Sequence, residues 1–455
     1  MNNPLSVFKD RQLRTAILAI TIPIAFQNLI TYCTGMMDTV MLGQLGEIQL
    51  SGAAVANQFS MLYMGITFGI SSGTNVLLSQ YWGKGDTKSM RSILSVMYWV
   101  TFLLSLIFFG LAYYFPDTIL RIFTPDEQVI AEGARYLRVV CLSYWAMGLS
   151  NAMLMTLRSV GTVKISLVVY ITSLVANTFL NWELIYGKLG APRLEMVGAG
   201  IATVIARIIE VAIAGVFVFG MEKKIGMRLR HLVRFDPSFA RDFGVHVVPV
   251  IFNELLWSLG NSALMMVMGR MGRAFVTANS ITNITMQFAQ TFTFGLSNAT
   301  SVIIGNTVGA EEYDKAKTVA KGITLASGIV GCVAGAIIFF IRPLIVSFYN
   351  IPEETKAVVM SVMAVASLVA LFQCMAIIEM MGILRGGGDI HFVLVSDVIF
   401  MWICAIPLGA FCGLKLGWAP AAVFLVLKCD EMLKILFATH RIWSGKWVRN
   451  LTRQG

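Results

Sequence analysis

Three carboxylic acids interrupt long apolar stretches of the 455-residue chain: Asp38, Glu254 and Glu379. No residue of opposite charge stands three or four positions from any of them, which is the spacing that brings two side chains together on a helix face. An unpaired carboxylate in an apolar environment is costly unless it is hydrated or binds a proton or a cation. The three acids are therefore candidates for the exchange of protons or hard cations.

Amide and hydroxyl side chains provide candidate partners for these acids. Asn177 and Asn181 stand four residues apart and share a helix face, and Thr203 lies in the next apolar stretch. Their oxygen atoms suit a hard cation or a network around a protonated carboxyl group. Hydrogen bonding between helices is the alternative role of such residues in membranes, and the sequence leaves both roles open.

A second group of residues is predicted to line a substrate cleft. Amides follow the prolines at positions 23 and 249, and a wall rich in methionine adapts to apolar ligands of varied shape. The cleft candidates are Gln27, Asn28, Asn253, Met36, Met64 and Met286. Packing against other helices or against lipid is the alternative for the methionines.

The remaining charges within apolar stretches have local explanations. Arg207 and Glu210 are three residues apart and are expected to pair on one helix face. A cluster of mixed sign near the end of the chain is expected to form a solvated or snorkelling face. This cluster consists of Lys428, Asp430, Glu431 and Lys434. For Asp397 the sequence leaves two alternatives open, a position near water and a functional position.

Composition indicates which elements must position these residues. Hydrophobic residues make up 57% of the chain and charged residues 13%, against about 25% charged residues in soluble proteins. A soluble core cannot hide so much apolar surface, so the expected solvent is lipid. Apolar stretches of roughly the 20 residues that a membrane-spanning helix needs lie near 16–42, 50–80, 92–114, 133–157, 164–187, 195–220, 243–269, 275–307, 318–340, 355–384, 391–413 and 417–440. The predicted fold class is an all-α integral membrane protein with about twelve transmembrane helices.

The net charge of +10 comes mainly from Lys and Arg between the apolar stretches. One side of the membrane collects roughly twenty of these residues and the other side roughly eight to ten. The positive-inside rule then predicts a multi-pass protein of the inner (plasma) membrane with both termini in the cytoplasm. On this explanation of the charge, the lipid bilayer is an expected partner and nucleic acid is not.

An internal repeat divides the chain into two similar halves. At a shift of 226 residues, and of 227 residues further along, proline, glycine and charged residues coincide in order. The coinciding pairs include Pro23 with Pro249, Gly43 with Gly269, Gly46 with Gly272, Asn57 with Asn283, Gly83 with Gly309, Pro116 with Pro343, Arg158 with Arg385, and Gly161 with Gly388. Because each half holds six spans, an even number, the halves share one orientation and a pseudo-twofold axis along the membrane normal. We predict an amino-terminal lobe at 1–221, a cytoplasmic linker at 222–242 and a carboxy-terminal lobe at 243–455, which enclose a cleft and rock it open to either side.

The candidate acids break this repeat, since Asp38 coincides with Leu264 and Glu254 with Asn28. The two lobes are thus expected to share a fold and to differ in chemistry. A duplicated structural or assembly protein without transport is the alternative. Such a protein would tolerate Asp38→Asn and Glu254→Gln without a loss of function.

Motifs of soluble catalysis do not occur in the chain. There is no Walker A sequence, so ATP is not expected to drive the protein directly, and there is no HExxH zinc motif. The seven cysteines show no metal-ligand spacing, and most lie inside apolar stretches, where they are expected to pack. We therefore expect a protein that is not an enzyme and that needs neither a cofactor nor a structural metal.

The chain resembles transporters of the multidrug and toxic compound extrusion (MATE) family. The resemblance rests on the run from Pro23 to Gly46, on Gln80-Tyr81-Trp82-Gly83 and on the paired Leu-Arg-x-x-Gly turns, and it covers essentially the whole chain. It implies a V-shaped pair of six-helix lobes. It also implies secondary active multidrug efflux, in which organic cations or drugs leave by alternating access in antiport against inward H⁺ or Na⁺.

The resemblance also implies roles for the candidate residues. The acid that matches Asp38 belongs to a cation site in the amino-terminal lobe. The usual partners of that acid match Asn177, Asn181 and Thr203. Relatives commonly have Asp where this chain has Asn181, so one negative charge is missing from the site. Glu254 and Glu379 match two acids of a cation site in the carboxy-terminal lobe.

Small organic cations or drugs are thus the expected partners, bound by a monomer. A flippase for lipid-linked precursors, from the same superfamily, is the alternative function. An anionic lipid head group would require basic residues along the cleft, whereas the candidates in this chain are acidic. This difference in charge favours efflux of cations.

Overall fold

The computed structural model describes residues 10–233, 236–349 and 351–453, and the regular elements of that part of the chain are helices, without a strand. Within it, ten helices have the length and apolar composition needed to cross a membrane. In chain order they are spans 1 to 7 and 9 to 11: Arg11–Gly43, Glu47–Lys84, Thr87–Tyr114, Glu127–Ser159, Lys164–Tyr186, Glu195–Met221, Ser238–Met271, Tyr313–Ser347, Glu353–Leu384 and Ile390–Lys415. Each corresponds to one of the predicted apolar stretches.

Two further helical regions complete the set of spans. Span 8, Arg273–Gly309, is 37 residues long and carries Thr, Asn, Gln and Ser along much of its length. Span 12 consists of two helices, Pro420–Leu427 and Cys429–Ser444, which are separated at Lys428. The prediction of about twelve transmembrane helices is confirmed.

Local sequence signals set the ends of several spans. Asp86 precedes span 3 and accepts a hydrogen bond from the backbone N–H of Ser89 at 3.0 Å. Asp126 caps span 4 in the same way, through two backbone N–H groups of its first turn. Such caps satisfy backbone donors that have no partner inside the helix. At the end of span 5, Gly187 adopts a φ of 67°, which glycine accommodates without steric strain.

The described residues fold into two compact units. The amino unit comprises Phe26–Leu78 and Asp86–Ile251, and the carboxy unit comprises Phe252–Gly455 with Met1–Ala25 and Ser79–Gly85. The boundaries within spans 1 and 7 fall shortly after Pro23 and Pro249, at positions that the repeat makes equivalent. The two units therefore divide spans 1 and 7, whereas the predicted lobes at 1–221 and 243–455 keep each span whole.

Aromatic side chains fix several spans within the amino unit. Tyr63 and Tyr144 are both buried, and their rings stack with centroids 4.8 Å apart. The Tyr63 hydroxyl lies 2.7 Å from the backbone carbonyl of Tyr144 and 2.7 Å from the Ser105 hydroxyl. A buried phenol needs such partners. Packing and hydrogen bonding together therefore hold spans 2, 3 and 4 against one another.

Two repeat-related glycines allow close packing within the carboxy unit. A Cβ atom on Gly83 would overlap the backbone of Asn306, and a Cβ atom on Gly309 would overlap the backbone of Gln80. Helices approach this closely only where the contact lacks a side chain. The glycine pair seen in the repeat therefore makes one reciprocal contact between the ends of spans 2 and 8.

Large apolar side chains are exposed on both units. Ile107 on span 3, Val175 on span 5 and Phe340 on span 9 are 59%, 63% and 79% exposed. Contact of so many such side chains with water would be unfavourable. The hydrocarbon of a bilayer is the solvent that matches this surface.

Candidate cation-coupling sites

Asp38 meets the predicted asparagine pair inside the amino unit. Asn181 Nδ2 donates to Asp38 Oδ1 at 2.6 Å and lies 3.2 Å from Asn177 Oδ1. Both asparagines are buried, whereas Asp38 is half-buried. Because Asn177 and Asn181 are about one turn apart on span 5, one helix face presents both amides to span 1. The structure thus brings these three residues together, and their role in cation exchange stays a prediction.

Thr203 joins the same cluster through Tyr136, a residue that the sequence reasoning did not single out. Tyr136 on span 4 shares a side-chain hydrogen bond with Thr203 and interacts electrostatically with Asp38. The Thr203 hydroxyl also donates to the Ala199 carbonyl of its own helix at 3.0 Å. A phenol on an otherwise apolar helix face is the signal that identifies Tyr136, because its hydroxyl needs a partner when buried.

The local ion pair predicted on span 6 is confirmed. Arg207 Nη1 lies 2.7 Å from Glu210 Oε1, and the Ser150 hydroxyl donates to Glu210 Oε2 at 3.4 Å. Asp38 interacts electrostatically with Arg207. Among the described residues, however, the direct side-chain partner of the Asp38 carboxylate is the Asn181 amide. The guanidinium is therefore engaged by Glu210, and Asp38 is held by a neutral group.

Glu254 differs from the sequence expectation, because an arginine from the turn that follows span 10 neutralises it. Arg385 Nη1 lies 2.8 Å from Glu254 Oε1 in the carboxy unit, and the two side chains are 3% and 12% exposed. The expectation of an acid without a basic partner is wrong here, since it rests on positions three and four residues away. Arg385 is 131 residues distant in the sequence. The sequence signal that could have identified Arg385 is the internal repeat, in which Arg385 coincides with Arg158.

The same arginine begins a chain of polar contacts within the carboxy unit. Arg385 Nη2 donates to Asn253 Oδ1, and Asn253 Nδ2 donates to Asp397 Oδ2, each at 2.6 Å. Asp397 Oδ1 in turn lies 2.8 Å from Lys434 Nζ. Glu254 and these four residues therefore form one continuous network, which joins spans 7, 11 and 12 through Arg385 in the turn after span 10. Asp397, which the sequence left open, is a member of that network.

Three of the four charged residues of the span 12 cluster are buried, which corrects the expectation of a solvated face. Asp430, Glu431 and Lys434 are 1%, 7% and 3% exposed. Lys434 Nζ lies 2.9 Å from Asp430 Oδ2, so opposite charges pair inside the protein. The physical reason is that this face of span 12 packs toward span 11, where Asp397 supplies a second anionic partner for Lys434.

Glu379 is fully buried on span 10, and its hydrogen-bond partner is a neutral hydroxyl. Thr439 Oγ1 lies 3.1 Å and 3.0 Å from its two carboxylate oxygens. Glu379 is part of a π-helical segment, Ile378–Leu384, an irregularity that occurs frequently at functional sites. Among the described residues it has no basic partner at ion-pair distance, as the sequence led us to expect. Its function in ion exchange stays a prediction.

The amino unit contains the repeat counterpart of the arginine–amide contact. Arg158 Nη2 donates to Gln27 Oε1 at 2.6 Å, as Arg385 Nη2 does to the asparagine at the repeat-related position, also at 2.6 Å. Asn28 stands where the carboxy unit has Glu254, and among the described residues Arg158 forms no ion pair with a carboxylate. The repeat thus retains the arginine–amide contact and changes the neighbouring charge.

The methionine candidates for a substrate wall differ in burial. Met36 and Met64 are 54% and 45% exposed, whereas Met286 is 5% exposed. Met286 belongs to a hydrophobic cluster of the carboxy unit that also includes Val362 and Val369. The assignment of Met286 to an open cleft wall is therefore wrong, because its face of span 8 is covered by neighbouring spans.

Asn181→Asp is expected to create Na⁺ binding in the amino unit. The variant places two carboxylates and the Asn177 amide around one position, and hard cations prefer anionic oxygen ligands. Because a ligand that binds the folded state raises stability by RT ln(1 + [L]/Kd), Na⁺ should raise the unfolding temperature of the variant more than that of wild type. The comparison uses thermal unfolding in NaCl and in choline chloride at equal ionic strength.

A double variant provides the matched control for this experiment. Asp38→Asn combined with Asn181→Asp restores a single carboxylate, so the additional response to Na⁺ should disappear. An equal Na⁺ response in wild type, the single variant and the double variant would show that these two positions do not ligate the ion.

A protein-family model, MatE, matches two segments of the chain, residues 23–182 and 249–411. The two matches begin 226 residues apart, which is the shift of the internal repeat and confirms the duplication. The uncharacterized transporter YisQ of Bacillus subtilis (strain 168) is 25% identical over 464 residues, with 98% of each chain covered. The probable multidrug resistance protein NorM of Listeria innocua is 23% identical over 402 residues, with 86% of each chain covered.

A solved structure shows the same fold. It is described as the outward-facing conformation of a multidrug resistance MATE family transporter of the MOP superfamily. Its TM-score with this chain is 0.86 at 15% sequence identity, and the alignment covers 95% of this chain and 96% of the other.

Proposed function

The chain belongs to the MatE family of multi-pass membrane transporters, and from this premise we propose that it exports organic cations or drugs by secondary active antiport against inward H⁺ or Na⁺. It is a transporter and not an enzyme. In the proposed cycle, a cleft open to the inside takes up the substrate, and the same cleft releases it after opening to the outside.

The substrate class is supported by a relative and by charge. The Listeria innocua relative is named as a probable multidrug resistance protein. Carboxylates attract cationic substrates and repel the anionic head group of a lipid-linked precursor. Asp38 and Glu379, which have neutral side-chain partners among the described residues, therefore favour efflux of cations over a flippase.

The contact between Glu254 and Arg385, at 2.8 Å, is the observation that carries the proposal. A buried ion pair is stable only while both charges keep partners. When a proton or Na⁺ binds Glu254 in place of Arg385, the arginine keeps its hydrogen bond to Asn253. The contact of Arg158 with Gln27 in the amino unit is an example of an arginine held by an amide without a carboxylate.

Exchange follows from competition at these carboxylates. A bound H⁺ or Na⁺ neutralises Glu254 and weakens its attraction for a cationic substrate, so the binding of one reduces the affinity for the other. The inward ion gradient then favours release of the substrate outside. Asp38 and Glu379 supply further carboxylates for the same competition.

The proposal includes a location and an organisation of the chain. We place the transporter in the plasma membrane as a monomer, with both termini and the linker at 222–242 in the cytoplasm. The lobes that alternate are those at 1–221 and 243–455. The excess of Lys and Arg in the connections on the proposed cytoplasmic side supports this orientation.

Transport of the organic cation ethidium by purified protein in liposomes tests the proposal. A H⁺ gradient and a Na⁺ gradient are imposed separately, and ethidium is expected to move against its own gradient under at least one of them. Asp38→Asn is expected to slow this transport, because the variant removes a carboxylate that binds the coupling ion. Ethidium movement at the same rate with and without both gradients would exclude antiport.

A further inference from the structure

A buried ammonium group occupies the centre of a charge cluster between spans 11 and 12. Lys434 Nζ lies 2.8 Å from Asp397 Oδ1 and 2.9 Å from Asp430 Oδ2. The Lys434 side chain is 3% exposed. Its ammonium group therefore takes the position between two carboxylates that a bound cation would otherwise occupy.

Glu431 is the member of this cluster that these contacts leave without a direct partner. The residue is 7% exposed, and among the described residues its carboxylate accepts no hydrogen bond and forms no ion pair. It nevertheless interacts electrostatically with the cluster, through Lys434, Asp430, Lys428 and Asp397. The thiol of Cys374 on span 10 also interacts electrostatically with Glu431. The Glu431 carboxylate is thus buried, and among the described residues no hydrogen bond or ion pair satisfies it.

The charges around Glu431 do not balance. Asp397, Asp430 and Glu431 contribute three negative charges when ionised, and Lys428 and Lys434 contribute two positive charges. One buried negative charge is therefore in excess, and a buried charge without compensation is strongly unfavourable. Lys434 lies at ion-pair distance from Asp397 and Asp430, so Glu431 is the carboxylate of this cluster that has no ammonium group at that distance among the described residues.

We propose that Glu431 carries an exchangeable proton and forms a proton site of the carboxy unit in addition to Glu254 and Glu379. A proton satisfies a single carboxylate by itself, whereas Na⁺ needs several oxygen ligands, and the nearest carboxylates are already taken by Lys434. Gain of the proton removes one anion from the surroundings of Lys434. Loss of the proton restores it.

This inference deepens the proposed function, because the cluster is joined to Glu254. Lys434 binds Asp397, Asp397 accepts from Asn253, and Asn253 accepts from Arg385, with contacts of 2.8, 2.6 and 2.6 Å. Arg385 then pairs with Glu254 at 2.8 Å. A change of charge at Glu431 therefore acts on Lys434 and, through this contiguous network, on the partner of Glu254.

Infrared difference spectroscopy of the purified full-length protein in lipid nanodiscs tests the inference. Spectra recorded in acidic and alkaline buffer are subtracted, which isolates the C=O absorption of carboxyl groups that bind and release protons. Wild type is expected to show a carboxyl band that is lost in Glu431→Gln. Lys434→Met is expected to gain carboxyl absorption, because Asp397 and Asp430 lose their shared ammonium group and bind protons instead.

Glu210→Gln is the matched control, since it removes a buried acid that has its own arginine partner and should leave the carboxyl band unchanged. A Glu431→Gln spectrum that superimposes on wild type overturns the inference. So does a Lys434→Met spectrum without added carboxyl absorption. A wild-type band that disappears when Na⁺ replaces choline overturns it in favour of a Na⁺ site. The measurement requires no transport, so its failure is distinguishable from failure of ethidium antiport.

Discussion

Glu254→Gln is expected to reduce gradient-driven ethidium transport at least tenfold, which corresponds to about 1.4 kcal/mol. Glutamine keeps the size of the side chain and an oxygen that accepts a hydrogen bond from Arg385. It cannot exchange a proton with the solvent or offer a negative charge to a cation. The variant therefore removes ion exchange at this position with the least change in packing. Initial rates in liposomes under the coupling gradient provide the measurement.

An exposed acid serves as the control for this variant. Glu353 pairs with Lys356 at 2.7 Å, and its side chain is 86% exposed. Glu353→Gln removes the same charge at a solvent-exposed site and should transport ethidium at the wild-type rate. Wild-type transport by Glu254→Gln would remove Glu254 from the coupling mechanism, and equal losses in both variants would show that the effect is not specific to the buried pair.

Arg385→Met is expected to lower the free energy of unfolding by about 3–5 kcal/mol, the usual consequence of removing one partner from a buried ion pair. The substitution leaves Glu254 with an uncompensated charge at a side chain that is 12% exposed. It also removes the donor to Asn253 Oδ1, which is bonded at 2.6 Å. Unfolding by sodium dodecyl sulfate in mixed micelles measures the difference from wild type.

Neutralising the partner separates the charge effect from the loss of packing. The double variant Arg385→Met with Glu254→Gln no longer buries an unpaired charge, so it should recover a large part of the lost stability. Arg121→Met is the control for a surface pair, because Arg121 and Glu127 are 62% and 70% exposed, and it should change stability by less than about 1 kcal/mol. A double variant no more stable than Arg385→Met would show that the two charges are not coupled.

The repeat explains how one fold carries different chemistry in its two units. Arg158 and Arg385 both donate to an amide, on Gln27 and Asn253 respectively, with the same distance of 2.6 Å. In the carboxy unit the added acid, Glu254, forms an ion pair with Arg385. In the proposed mechanism a proton or Na⁺ replaces Arg385 at this acid. We expect the transport experiments to assign the stronger coupling to the carboxy unit for this reason.

Several properties of the protein were determined by the sequence alone. The thickness of the bilayer sets the length of each span, and the need to satisfy backbone hydrogen bonds makes each span helical. The spans near 164–187 and 195–220 therefore agree closely with helices Lys164–Tyr186 and Glu195–Met221. Contacts within one helix could also be predicted from the sequence, because helix geometry makes residues three and four positions apart neighbours. The pairing of Arg207 with Glu210 is an example.

Only the tertiary structure decided which helix faces meet. Arg385 lies far from Glu254 in the chain, and Lys434 lies on a span whose charges looked like a solvated face, yet both are buried in one network. Met286 is covered for the same reason. The rotation of each helix about its axis, and the choice of its neighbours, depend on packing between residues that are distant in the sequence. The spacing of residues along a single span therefore does not predict that packing.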